Sequence, residues 1–200
     1  MEKKRVISLV GGVGSGKSRI LELLKEEFGA EVIQADLVAR QLEEPGRPGH
    51  KALLEAFGQK ILGEDGYLRK DLLAALVFGD PEARERINGL IHPLVWDEVR
   101  LWALKSKASL VVVESAILSE NRDDFFDEVW YVYTLKECRI RRLMDSRGYS
   151  REKCLKMMES QSSEEEFAKA ADHMINNNGS MEDVRRQLRK VIKSKEESGT

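Results

Sequence analysis

The stretch LVGGVGSGKSRIL, residues 9–21, limits the fold more than any other. An apolar run, residues 6–10, leads into it with a single serine inside, the pattern of a strand buried on both faces. Beyond it Ile20, Leu21, Leu24 and Phe28 recur at helical spacing, and Gly29 stops the helix. Between the two lie four glycines, where neither regular structure can continue. Further apolar runs follow at 32–33, 110–113 and 129–132, and 173–176 is expected as a short fifth strand; helical patterns separate them, the last carrying Met181, Val184, Leu188 and Ile192. Strands that alternate with helices predict an α/β fold with a five-stranded parallel sheet and right-handed crossovers. Residues 40–105 are too long for one crossover, so a helical insertion is expected over about 41–105, with breaks at GEDG (63–66) and at Gly79-Asp80-Pro81. The charged helical region 136–165, broken near RGYS, reads as a lid. The rest of a single domain, 1–40, 106–135 and 166–200, is the core.

Residues 11–18, GGVGSGKS, satisfy G-x-x-x-x-G-K-[ST] at every position. Each part has a physical reason. Gly12, Val13, Gly14, Ser15 and Gly16 can turn successive N–H groups toward one phosphate. The helix that follows adds its positive end. Lys17 places a charge on the outer phosphates, and Ser18 offers a hydroxyl to Mg2+. A plain glycine-rich turn would not also fix a lysine and a serine. The reading is a phosphate-binding loop for ATP or GTP.

What happens to the nucleotide is limited by what is missing. There is no N-K-x-D or D-x-x-G in a plausible place for a GTPase, and Glu114 after the third strand stands without the Asp-Glu pair of a larger ATPase. The net charge of −2 argues against a general nucleic-acid partner. No stretch is long enough to span a bilayer, and the apolar run after MEKKR is too short for a signal peptide. The two cysteines, Cys138 and Cys154, show neither metal-ligand nor disulfide-framework spacing, which suits a cytoplasmic setting. A small-metabolite kinase fits best, its lid excluding water from phosphoryl transfer. Another metabolite or nucleoside kinase, and a nucleotide-binding regulator on a kinase scaffold, remain open.

The acceptor side is expected near the end of the second strand, where Asp36 can orient a hydroxyl and accept its proton. Asp36 also reads as the N-cap of a helix over 37–43. His92 precedes Pro93 and has a bland alternative, a kinked or ended helix. The cations 136–153 read mostly as a solvated helix face. Arg142 and Arg147 are the exceptions, expected to cover the transferring phosphoryl group. Arg47 and Lys51 could meet a coenzyme phosphate, and Trp96, Trp102 and Trp130 read as packing residues.

Four further segments carry a family resemblance: IQADLVARQLEEPG, DGYLRKDLLAALVFGDPEARERINGLIHPLV, SAILSEN and SQSSEEEFAKAADHMINNNGS. With the glycine loop they resemble, in order, the motifs of dephospho-coenzyme A kinases over nearly the whole chain. The resemblance implies a P-loop kinase fold with a helical substrate-binding insertion and a helical lid. It implies ATP-dependent phosphorylation of the ribose 3′-hydroxyl of dephospho-coenzyme A, the last step of coenzyme A biosynthesis, in a cytoplasmic monomer or weak homo-oligomer. It implies that residues 11–18 bind ATP and Mg2+, that Lys17, Asp36 and Arg142 are catalytic, and that Arg40 and His92 face the coenzyme. Asn177 would lie beside the adenine, and Glu120 would end the segment after the third strand. The chain departs from the family at Gln34, which replaces an Asp, and at Val10, Ala116, Ser146 and Phe167; at Ser146-Arg147-Gly148 the lid arginine is displaced by one place.

Overall fold

The computed structural model describes residues 4–115 and 125–196. Ala116 and Glu120, named above, lie outside them. The elements in chain order are β1 (Arg5–Val10), α1 (Lys17–Phe28), β2 (Glu31–Gln34), α2 (Ala35–Leu42), α3 (Pro48–Phe57), a 3-10 turn (Gln59–Ile61), α4 (Lys70–Gly79) and α5 (Pro81–Lys105). They continue with β3 (Leu110–Glu114), β4 (Glu128–Tyr133), α6 (Lys136–Arg147), α7 (Arg151–Glu159), α8 (Glu164–Ala170), β5 (His173–Asn176) and α9 (Met181–Glu196).

The five strands form one sheet in the order β2-β3-β1-β4-β5. β1 runs parallel to both β3 and β4, and β5 runs parallel to β4. The register sets Leu9 beside Glu114, Val10 beside Tyr131, and Tyr133 beside Asn176. The segments that follow β1, β3, β4 and β5 therefore leave from one edge. Ligands of open parallel sheets bind at this edge, near the strand where connections diverge to opposite sides. β1 is that strand, with β3 on one flank and β4 on the other.

The chain divides into two compact units, Ile33–Lys105 and the remainder, Met1–Val32 with Ser106–Thr200. In the sheet unit, Ile7 and Leu9 of β1, Val112, Trp130 and Ile175 pack with Ile20, Leu24, Val184 and Leu188 of α1 and α9. On another part of the sheet Val10, Val129 and Tyr131 pack with Phe167 of α8. Phe167 is 2 % exposed and stacks on Tyr131, its ring 5.2 Å away and nearly parallel. The Phe167 ring thus closes a core. α1 ends at Gly29 with φ 63°, and the Ala30 N–H returns to the Leu24 carbonyl at 3.0 Å, a left-handed stop that glycine takes without strain.

In the helical unit, α5 packs with α2, α3 and α4. Val38, Leu42, Leu53, Ile91, Val95 and Val99 are buried there. Pro93 does not end the helix. α5 runs through it for 25 residues. Proline removes one N–H and presses on the carbonyl four residues back. That residue is Gly89, and the exposed ring of Pro93 faces away from the buried positions Ile91 and Val95. Trp96 and Trp102 are half-buried in α5, while Trp130 is fully buried in the sheet.

Candidate active site

Residues 11–16 leave β1 as a closed loop, with the Ser15 N–H on the Gly12 carbonyl at 3.1 Å. Gly16, at φ 89°, hands the chain into α1. Lys17 occupies the first position of that helix and turns back. Its Nζ donates to the Gly11 carbonyl at 2.7 Å and lies 3.6 Å from Glu114 Oε1. The strand register explains the second contact, since Glu114 ends β3 directly beside β1. Ser18 is exposed in the first turn of α1. A cation and a hydroxyl thus sit at the positive end of a helix, on the ligand-binding edge of the sheet.

Three side chains from other elements converge on one loop carbonyl. The Ser15 oxygen accepts from Asn177 Nδ2 at 2.7 Å, Thr134 Oγ1 at 2.9 Å and Arg142 Nη1 at 3.1 Å. Arg142 Nη2 also donates to the Asn177 carbonyl at 2.9 Å. Arg142 and Asn177 therefore both hold the backbone of the loop, Asn177 at the Ser15 carbonyl. Gly16 lies against the Asn177 amide and within 3.1 Å of Arg142 Nη1 for any added Cβ.

Arg139, read from sequence as part of a solvated face, is 7 % exposed. Its Nε donates to the Val13 carbonyl at 2.9 Å, and its Nη1 lies 3.8 Å from Glu164 Oε1. Burial lowers its pKa, an effect that Tyr131 and Glu164 oppose, and Tyr131 itself is pushed up to about 12, chiefly by burial. Gln161, between α7 and α8, accepts the Val13 N–H at 2.8 Å. Arg147 is exposed in the last turn of α6, away from the buried face formed by Arg139, Ile140 and Leu143. Arg139, Thr134 and Gln161 were not picked out from sequence. The available signal was helical spacing: Arg139, Arg142 and Leu143 share a face, and Arg141 does not.

In the helical unit, Asp36 is exposed at the second position of α2. It is not the N-cap. Gln34 takes that place because the helix starts at Ala35. Asp36 and Arg40, one turn apart, line a shallow groove of about 360 Å³ with Ala39, Glu43, Lys70 and Leu73. Burial pushes the Glu43 carboxyl up, against the pull of Lys70 and Arg40. His92 is half-buried in α5 and does not line that groove.

The family model for dephospho-CoA kinase matches residues 5–183. A dephospho-CoA kinase of Carboxydothermus hydrogenoformans is 35% identical over 191 residues, covering 94% of this chain and 92% of that protein. A crystal structure of a Thermus thermophilus protein superposes with a TM-score of 0.82 at 30% identity, covering 96% of this chain and 98% of the other. A dephospho-CoA kinase from Campylobacter jejuni superposes with a TM-score of 0.63 at 25% identity, covering 96% and 97%.

Proposed function

The chain belongs to the dephospho-CoA kinase family, and from that premise we propose how its residues divide the work. The reaction is ATP-dependent phosphorylation of dephospho-CoA, the last step of coenzyme A biosynthesis, giving coenzyme A and ADP. The acceptor is the ribose 3′-hydroxyl.

The observation that carries the reading is Lys17, held between the Gly11 carbonyl and Glu114 at the ligand edge of the sheet. In this reading the N–H groups of residues 11–18 and the positive end of α1 take the β- and γ-phosphates of ATP. Lys17 moves from the Gly11 carbonyl onto the γ-phosphate and stabilises charge there as the bond to the leaving oxygen breaks. Arg142 and Asn177 act through the loop by fixing the Ser15 carbonyl. Asp36 aligns the hydroxyl for in-line attack and accepts its proton, with Arg40 and His92 on the coenzyme side.

Mg2+ suits the donors. Among the described residues no group of three or more His, Cys, Asp or Glu could hold a metal ion. Mg2+ typically binds through one or two protein oxygens plus substrate phosphates. Ser18 would supply a hydroxyl and Glu114 a carboxylate, and the ion would neutralise phosphate charge. We further propose a cytoplasmic monomer or weak homo-oligomer with no nucleic-acid or membrane partner. Among the described residues no helix is long and apolar enough to cross a membrane.

The test is ADP release from MgATP with dephospho-CoA, set against adenosine, nucleoside monophosphates, shikimate and pantothenate. Release is expected with dephospho-CoA alone, with one phosphoryl group added by mass. Lys17→Ala lowers kcat about 100-fold or more. Asp36→Asn lowers kcat by about the same factor while the ATP Kd stays within about twofold. Near-normal turnover of Asp36→Asn would reduce Asp36 to an ordinary first-turn carboxylate.

A further inference from the structure

Val13 is tied to the helices that follow β4 in three ways. Its N–H donates to Gln161, its carbonyl accepts from Arg139, and its side chain packs against the buried cluster of Ile140, Leu143 and Cys154. The arginines of α6 follow a pattern. Arg139 holds the carbonyl of Val13, and Arg142, one helical turn later, holds that of Ser15. A trans peptide is planar, so its C=O and N–H point in opposite directions. Fixing the Val13 carbonyl on α6 aims the Gly14 N–H away from α6. Fixing the Ser15 carbonyl does the same for Gly16. A loop that binds anions needs this arrangement, because a carbonyl free to swing inward would repel a phosphate. Gln161 secures the other peptide of Val13, and only the oxygen of its amide can accept that N–H.

We propose that Arg139 and Gln161 are positioning residues for phosphoryl transfer. They set the peptide groups on both sides of Val13 and so aim the Gly14 N–H at the nucleotide's phosphates. They touch neither the phosphates nor the acceptor. This couples the shape of the phosphate loop to the packing of α6, α7 and α8 upon it. The proposal rests on the kinase reading above.

The experiment titrates MgATP into the full-length chain without acceptor, by calorimetry, for wild type, Gln161→Met, Gln161→Glu and Arg139→Met. Steady-state kinetics with dephospho-CoA follow on the same proteins. Gln161→Met removes the acceptor at nearly constant volume, and Gln161→Glu keeps one. Expected is an ATP Kd weakened about tenfold in Gln161→Met and Arg139→Met, with KM for dephospho-CoA within about twofold and most ATP affinity restored in Gln161→Glu. ATP affinity unchanged in Gln161→Met, or a loss that Gln161→Glu does not restore, overturns the proposal. Should Arg139→Met fail to fold, the two Gln161 variants still decide. A wild type that binds ATP but does not phosphorylate dephospho-CoA would overturn the substrate assignment, and the titrations would still decide the roles of Arg139 and Gln161.

Discussion

At Gly12 the Arg139 guanidinium lies where a side chain would begin. A Cβ there would come within 2.6 Å of Arg139 Cζ. Arg139 is buried and holds Val13, so it cannot swing out without releasing the loop. Gly12→Ala is therefore expected to weaken ATP binding about tenfold, measured by nucleotide titration, while far-ultraviolet circular dichroism stays that of the wild type. The glycines, Lys17 and Ser18 were legible from spacing alone because the pattern encodes local backbone geometry. Of the arginines, Arg142 was singled out but Arg139 was read as a solvated cation. Arg139, Arg141, Arg142 and Arg147 are chemically alike in the sequence, and only the direction each takes from α6 separates loop anchors from solvated cations. The cap reading of Asp36 fails because the helix starts two residues earlier than expected, which moves Asp36 inside the first turn.

Of the helices, α8 is short but carefully started. Ser163 accepts the Glu166 N–H at 3.2 Å, and the Glu166 carboxylate accepts the Ser163 N–H at 2.7 Å, a reciprocal cap. Those bonds hold the Glu166 carboxyl below the usual range. Ser163→Ala is expected to cost about 1 kcal/mol in urea unfolding. It is also expected to speed amide exchange in α8, the helix that supplies Phe167 to the core and Glu164 to the surroundings of Arg139. The three central strands, β1, β3 and β4, were readable because buried parallel strands show as apolar runs, whereas the short outer strands β2 and β5 each bury a single residue and left a weaker signal. The turn between α7 and α8 was not readable, because its four residues, 160–163, contain no glycine or proline to mark a break between two charged segments. The helix through Pro93 was unreadable for a different reason. Packing of α5 against three other helices outweighs one lost hydrogen bond.

The whole molecule combines a contiguous helical unit with a sheet unit made from two chain segments. The sequence placed the insertion at about 41–105, from the length of the crossover. The compact unit begins at Ile33, within β2, a boundary that composition does not mark. Glu43 gives this unit a pH dependence. Burial raises its pKa above the usual 4.5, so the folded state holds the proton more tightly than the unfolded chain does. Its contribution is fully present below that usual value and is lost as pH rises through the folded value. At pH 7 the ionised group opposes folding. Glu43→Gln should raise Tm at pH 7 by up to about 2 °C and flatten the change in Tm between pH 4 and 7, read by calorimetry.

The sheet order also dictates when the loop can be finished during synthesis. β1 leaves the ribosome long before β3 and β4, the strands on either side of it, roughly a hundred residues later in translation. The helical unit, one continuous run, is complete first. Until Arg139, Gln161 and Asn177 have been translated, the Val13 carbonyl and N–H have no side chain to hold them, and the Ser15 carbonyl lacks its Asn177 donor. The nascent chain therefore carries its nucleotide motif for most of its synthesis before it can bind nucleotide tightly.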